Sequence, residues 1–224
     1  MLPDSISEKL RVHINGVEQG MFVRGTDATK PVLLYLHGGM PEYFLSQRHP
    51  TRLEDEFVVC WWEQRGAGLS YRPGMSPESV TVGQLVDDTL ALTNELRRRF
   101  RKDRIYLMGH SGGSFLGMHA VARAPQCYHA YVGVAQMAHQ LRSERRAYDY
   151  MLARCRAERR TRLARRLEAV PVTLEGGVPP SAPLKGFYTF EQSAHSPVFE
   201  EPGKVMTILR EDVLNGANRL ADKT

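Results

Sequence analysis

Three cysteines in 224 residues, Cys60, Cys127 and Cys155, lie far apart and form no CxxC pair. That excludes a disulfide framework and a cysteine-ligated zinc site, and it suits a reducing compartment. No stretch approaches the roughly 18 consecutive apolar residues of a membrane span. The opening segment MLPDSISEKLRVHING carries Asp4 and Glu8 and has no apolar core of a secretory leader, so a cytoplasmic protein with no membrane partner is expected. Internal repeats and low-complexity tracts are also missing. With 42% hydrophobic residues, 25% charged residues and 13 prolines, the composition excludes disordered and collagen-like chains. A length of 224 suits one α/β domain with a sizeable core.

Charge of one sign is concentrated in one place. Thirty Lys and Arg against 25 Asp and Glu leave +5, a balance that by itself suggests an anionic partner. Residues 142–168 hold ten arginines and four acids, a local +6, which leaves −1 for the rest of the chain. Leu141, Tyr148, Met151, Leu152, Leu163 and Leu167 give the same stretch an apolar side, so one or two amphipathic helices with a solvated arginine face are expected. No aromatic and basic groove pattern accompanies the arginines, so no nucleic-acid partner is expected. An anionic group on a small substrate is the other use such a face could have.

The apolar pattern predicts a strand at residues 9–14 and another at 20–24, joined by an Asn15-Gly16 turn signal. Residues 32–36 and 57–62 are continuous apolar runs of strand length, as in strands buried on both faces of a parallel sheet. Val82, Leu85, Val86, Leu90, Leu92 and Leu96 recur at helical spacing within 81–100. A short strand at 105–108, a helix at 115–124 ending before Pro125 and a strand at 131–135 follow. A proline- and glycine-rich loop covers 171–183; a strand at 186–190 and a helix at 203–214 close the chain. Strands alternating with helices predict an α/β fold, a mostly parallel sheet flanked by helices.

Gly109-His110-Ser111-Gly112-Gly113 matches G-x-S-x-G with an apolar strand before it and a helical pattern after it. A sharp strand-to-helix turn would lift Ser111 Oγ above the sheet, and Gly109 and Gly113 answer the crowding such a turn creates. The amide of Gly112, at the start of the helix, is a candidate oxyanion donor. The strand at 32–36 ends in His37-Gly38-Gly39, where a glycine loop can supply the second donor, from Gly39 first and Met40 second. The segment Glu63-Gln64-Arg65-Gly66-Ala67-Gly68-Leu69-Ser70 follows the fourth strand.

The segments LHGG, EQRGAGLS and GHSGGS, in this order and spacing, resemble α/β-hydrolases of the proline iminopeptidase-like group, whose motifs read HGGPG, DQRGxGxS and GxSxGG. The resemblance covers roughly residues 9–140 and again 183–220. It departs at Met40, where the group has proline, and at Glu63, where it has aspartate; that acidic turn is mainly structural in the family. The resemblance implies an α/β-hydrolase fold and a serine nucleophile, Ser111, with neither metal nor organic cofactor.

Chain order in this fold is Ser, then acid, then His. Among the histidines after Ser111, His119 sits eight residues along the same helix, about 12 Å of rise away. His129 precedes a strand at the wrong edge of the sheet, and His139 is a conceivable rim residue. His195, in EQSAHSP before FEEP, resembles the catalytic-histidine loop of the family and is the expected base. Family members carry the acid in a segment of the form Pro-Val-apolar-Gly-x-x-Asp, and none occurs between Ala135 and Gly186. VPVTLEGG at 170–177 is superficially similar, with Glu175 as the nearby carboxylate in what reads as a cap-region loop, so the triad acid stays unassigned.

Only 84 positions separate Ser111 from His195. That interval is short for a cap and an acid-bearing strand, as though an internal block had been lost. The expected organisation is an N-terminal part of the core at 1–140, a reduced arginine-rich cap at 141–182 and a C-terminal part of the core at 183–224. The expected function is hydrolysis of an ester or amide in a small molecule or short peptide through an acyl-enzyme, esterase-like or prolyl-aminopeptidase-like. The alternative is a catalytically impaired hydrolase-fold remnant or a non-enzymatic interaction protein.

Overall fold

The apolar runs become six strands of one sheet. The computed structural model describes residues 4–137, 140–169, 171, 188, 190–193 and 195–222. The strands are β1 (Ile6–Ile14), β2 (Val17–Gly25), β3 (Val32–Leu36), β4 (Val58–Glu63), β5 (Ile105–His110) and β6 (Tyr128–Val134), in the spatial order β1-β2-β4-β3-β5-β6. β1 pairs antiparallel with β2 and β2 with β4, while β4, β3, β5 and β6 are mutually parallel. Asn15 and Gly16 both take positive φ, as the tight turn between β1 and β2 requires.

Because side chains alternate along a strand, the all-apolar runs feed two cores at once. Val32, Leu34 and Leu36 of β3 join one core with Val58, Cys60 and Trp62 of β4 and Leu107 of β5. Two helices following a short α1 (Tyr43–Arg48), namely α2 (Val82–Arg99) and α3 (Gly112–Arg123), cover that face through Val86, Leu92, Leu96, Leu116 and Ala120. Leu33 and Tyr35 point to the other face with Val59, Trp61, Tyr106 and Met108. There they meet Val198, Val205 and Met206 from near the end of the chain.

By contacts the chain divides into two units, Met1–Gln136 with Ser181–Thr224, and Met137–Pro180. The second unit is a helical pair, α4 (Gln140–Ala157) and α5 (Thr161–Glu168), whose turn places Arg159 at φ 54°. Its residues Tyr148 and Ala164 are buried, while its Arg145–Asp149, Arg154–Glu158 and Arg156–Glu168 ion pairs are exposed. The acids thus sit among the arginines, in the manner of a solvated helix face. The first unit resumes with α6 (Pro197–Glu200), which carries Val198, and α7 (Pro202–Ile208), which carries Val205 and Met206.

Several expectations shift at their edges. The helix expected at 203–214 is α7 followed by a π-helical turn at Leu209–Val213. The last parallel strand starts earlier than its apolar pattern suggests, so His129 lies inside β6 and not before it. The physical reason is Tyr128, which is buried in the core and hydrogen-bonded to Thr93 at 2.9 Å, so the chain is already paired there. His139, Glu175 and most of the strand expected at 186–190 lie outside the described residues.

One buried polar knot ties the sheet to α2. Asp88, fully buried, accepts from Arg65 Nε at 2.6 Å and Nη2 at 2.9 Å, from Asn15 and Gln84 at 2.8 Å and from Gln19 at 2.7 Å. Gln19 in turn accepts from the Trp62 indole at 3.1 Å. The β1–β2 turn, β2, the turn after β4 and α2 therefore converge on one carboxylate. Burial raises the carboxyl's pKa, but the Arg65 guanidinium and the amide donors outweigh that and hold it below the usual aspartate range. A lowered folded value means that this stabilisation is present above the unfolded value of about 4 and is lost as pH falls through the folded one. Asp88→Asn, which leaves Arg65 buried without its charge partner, should cost about 3–5 kcal/mol at pH 7. Urea denaturation at pH 7 and pH 3 checks both points, since the gap between wild type and variant should shrink at the lower pH.

Candidate active site

The turn from β5 into α3 is built by exclusion of side chains. A Cβ on Gly109 would collide with the Gly113 carbonyl and approach Ser114 Cα at 2.7 Å. One on Gly113 would strike the Leu36 carbonyl oxygen and lie 2.5 Å from that of His37. Both glycines are needed because α3 starts hard against the end of β3. Ser111, between them, is held at φ 51°, ψ −119°, which an L-residue adopts only when its surroundings enforce it. Its amide donates to the Val134 carbonyl at 2.9 Å, and its carbonyl accepts from Ser114 N at 2.9 Å, which starts the helix.

The glycine loop after β3 comes directly to this serine. A Cβ on Gly38 would fall 2.9 Å from Ser111 Cβ and 3.5 Å from Ser111 Oγ, and one on Gly112 would fall 3.8 Å from Gly38 Cα. Gly112 is the first residue of α3, where a helix leaves its amides without intrahelical partners. Gly39 has open space on its Cβ side. Met40 is 54% exposed and takes no part in the core.

His37 braces the loop from beneath. Its Nε2 accepts from the Gln64 amide at 3.1 Å, which leaves the proton on Nδ1, 3.0 Å from the Gly38 carbonyl, while Gln64 Nε2 donates to the His37 carbonyl at 2.7 Å. Burial is the main reason its pKa lies below that of an ordinary histidine. Glu63 is structural in its contacts. Its carboxylate accepts from the Leu69 amide and occupies the space a Cβ on Gly68 would need, and Gly68 takes φ 45°.

His195 is exposed, and its ring centroid lies 5.0 Å from that of His110. Its main-chain carbonyl accepts from His110 Nε2 at 2.9 Å. Among the described residues, no hydrogen bond joins Ser111 Oγ to His195. The geometry therefore brings Gly38, Gly112 and Ser111 together and puts His195 beside the neighbour of Ser111. His119 lies on α3 with its ring edge against Phe115, and His129 stacks on Tyr106.

Two residues that the motifs did not single out occupy the centre. His110 and Glu42 are buried and paired, Nδ1 to Oε1 at 2.6 Å, and Glu42 also accepts from the Tyr35 hydroxyl at 2.6 Å. His110 stands at the free position of G-x-S-x-G, and Glu42 lies 68 positions away in a loop, so no local spacing links them. The one available signal was an ionisable residue on each side of two glycine turns already expected to touch. Among the described residues, no group of three or more His, Cys, Asp or Glu could hold a metal, and no helix is long and apolar enough to cross a membrane.

A mostly parallel sheet with helices on both faces and a strained serine between β5 and α3 defines an α/β-hydrolase. Residues 27–174 match the family described as serine aminopeptidase, S33, and the chain belongs to that family. It is 34% identical over 155 residues to the probable aminopeptidase YbaC of Bacillus subtilis (strain 168), a match covering 67% of this chain and 49% of the relative. The proline iminopeptidase-related protein of Thermus thermophilus superposes with TM-score 0.51 and 28% identity, over 60% of this chain and 46% of that one. The chain thus spans about half the length of the curated relative it matches.

Gly113→Ala should destabilise the protein by about 1–3 kcal/mol or more, since only backbone atoms stand in the way of the new methyl. Gly39→Ala, which meets nothing within 4 Å, should stay within about 0.5 kcal/mol of wild type. Thermal melts of both variants check the contrast.

Proposed function

We propose that the chain is a serine hydrolase that cleaves an ester or amide in a small molecule or short peptide. The observation that carries this reading is Ser111, held at φ 51° between strand and helix with Gly38 pressed against it. Backbone strain of this kind clusters at active sites, ligand clamps and switch regions. Ser111 Oγ attacks the carbonyl carbon and gives its proton to His195, and the new C–O bond produces an oxyanion. The amides of Gly39 and Gly112 donate to that oxygen. Collapse breaks the bond to the leaving amine or alcohol, which takes the proton from His195. Water, deprotonated by the same histidine, then releases the acid and restores Ser111. The similarity to a protein named a probable aminopeptidase supports an N-terminal residue of a short peptide as the acyl part.

A second reading is favoured by one feature: the described residues hold His195 by its main chain, and its ring has no carboxylate partner among them. On that reading the fold is a catalytically impaired hydrolase or serves an interaction. Loss of the acid's role in a triad costs on the order of 10⁴-fold in rate.

A fluorophosphonate probe separates the two. Under the hydrolase reading it labels wild type at Ser111 and leaves Ser111→Ala unlabelled. No label on well-folded wild type rejects it. Turnover of proline anilide in preference to a p-nitrophenyl ester assigns aminopeptidase chemistry, and the reverse assigns an esterase.

A further inference from the structure

We infer that Glu42 and His110 form a buried charged latch that grips the His195 loop by its main chain, with His110 as the imidazolium whose deprotonation lets the loop go. The inference rests on the reading of His195 as the base only for its catalytic consequence; the latch itself is a statement about His110.

The partners of His110 decide its protonation. Nδ1 faces a Glu42 carboxylate oxygen at 2.6 Å, and Nε2 faces the His195 carbonyl oxygen at 2.9 Å, with Ser196 Oγ at 3.3 Å. A backbone carbonyl can only accept, and a neutral imidazole has one N–H to give. Glu42 is itself surrounded by donors: the Tyr35 hydroxyl on Oε2 at 2.6 Å and the Gly38 amide toward Oε1 at 3.4 Å. With acceptors at both ring nitrogens, the arrangement is complete when His110 carries two protons and Glu42 none. Side-chain exposures of 5% and 6% remove the water that could otherwise substitute.

The other groups around His110 agree. Behind Glu42 stand the Tyr35 phenol and His37, whose Nε2 accepts a hydrogen bond and is therefore unprotonated. Across from His110 lie the His195 ring and, on α6, the Glu200 carboxylate, whose negative charge favours a cation. Burial pushes the His110 pKa down, but the Glu42 hydrogen bond and charge, the His195 carbonyl and Glu200 together raise it above the ordinary histidine range. A raised folded value means that the latch is fully closed below the unfolded pKa of about 6.5, and that both latch and stability are lost as pH rises through the folded value.

The latch spans 85 positions and fastens the residue next to Ser111 to the residue proposed as its base. His110 is therefore a positioning residue. It touches no reacting atom but sets how far the His195 ring stands from the serine.

The test uses the full chain labelled with ¹⁵N at histidine rings, followed by long-range ¹H–¹⁵N spectra from pH 5 to 10. His110 should show two protonated nitrogens at pH 7 and titrate above the ordinary range; Glu42→Gln should lower that titration by at least about one unit, the effect of removing an opposite charge in contact. Amide exchange around residues 195–200 should rise about tenfold across the same titration, and Glu42→Gln should move the rise with it. In turnover, Glu42→Gln should shift the alkaline limb of kcat downward with KM unchanged. A single-proton His110 at pH 7 in wild type overturns the latch, and that spectrum decides even where the variant does not fold. Exchange around His195 that ignores the His110 titration overturns it equally. If Ser111 takes no fluorophosphonate while His110 behaves as stated, the hydrolase reading fails and the latch stands. Labelled Ser111 with a neutral His110 keeps the hydrolase reading and overturns the latch.

Discussion

The site depends on the closeness with which α3 begins against the end of β3. Gly113 sits on the carbonyl oxygens of Leu36 and His37 with no room for a methyl group, and Gly38 packs against Ser111, where a Cβ would come within 2.9 Å of Ser111 Cβ. With β3 and β5 paired in register, the turn from β5 into α3 runs through this contact. That path forces Ser111 into a backbone conformation it would not choose. The hydrophobic burial of two sheet faces maintains it, because strand order and helix position must both change before the turn can relax. The strain is therefore local, while its support is spread over the sheet.

The polar parts of the molecule are organised around two buried carboxylates with different tasks. Asp88 gathers an arginine and three amide side chains, and it fixes the turn after β4 to α2. Glu42 gathers a phenol and an imidazole, and through His110 it reaches the His195 segment. In each case a charge that is costly to bury is surrounded by donors, so removing one partner is worse than never having had the pair. The first knot is remote from Ser111 in its contacts; the second is adjacent to it along the chain. The attachment of α2 and the geometry of the site are thus held by separate polar clusters within one unit.

Much of the fold was legible because the strands are buried on both sides. A run such as VLLYL, bounded by polar and glycine residues, has few alternatives, and the turns that follow such runs carry the motifs. Gly109 and Gly113 were legible as steric necessities, because a strand that turns sharply into a helix leaves no space for side chains two positions either side of its serine. The start of β6 was not legible, because Tyr128 enters the core through a hydrogen bond to Thr93 on α2, a partner 35 positions away. The Glu42–His110 pair was hidden for the same reason: its two members are 68 positions apart, and each stands beside glycines whose own role is plain from local spacing.

Continuous apolar runs, turn glycines and a serine between strand and helix are properties of neighbours in the chain, so the sequence alone determined an α/β fold with Ser111 at a strand-to-helix turn, and three local motifs carried the resemblance to α/β-hydrolases. Which charged groups meet beneath that serine is a property of residues brought together across the sheet, and only the tertiary structure decided it. Coulombic and hydrogen-bonding partners in a low-dielectric interior are selected by the packing of the backbone, and the periodicity of a strand or helix does not encode them. That is why the position of Ser111 followed from its own five residues, whereas the grip on the His195 carbonyl could be seen only in three dimensions.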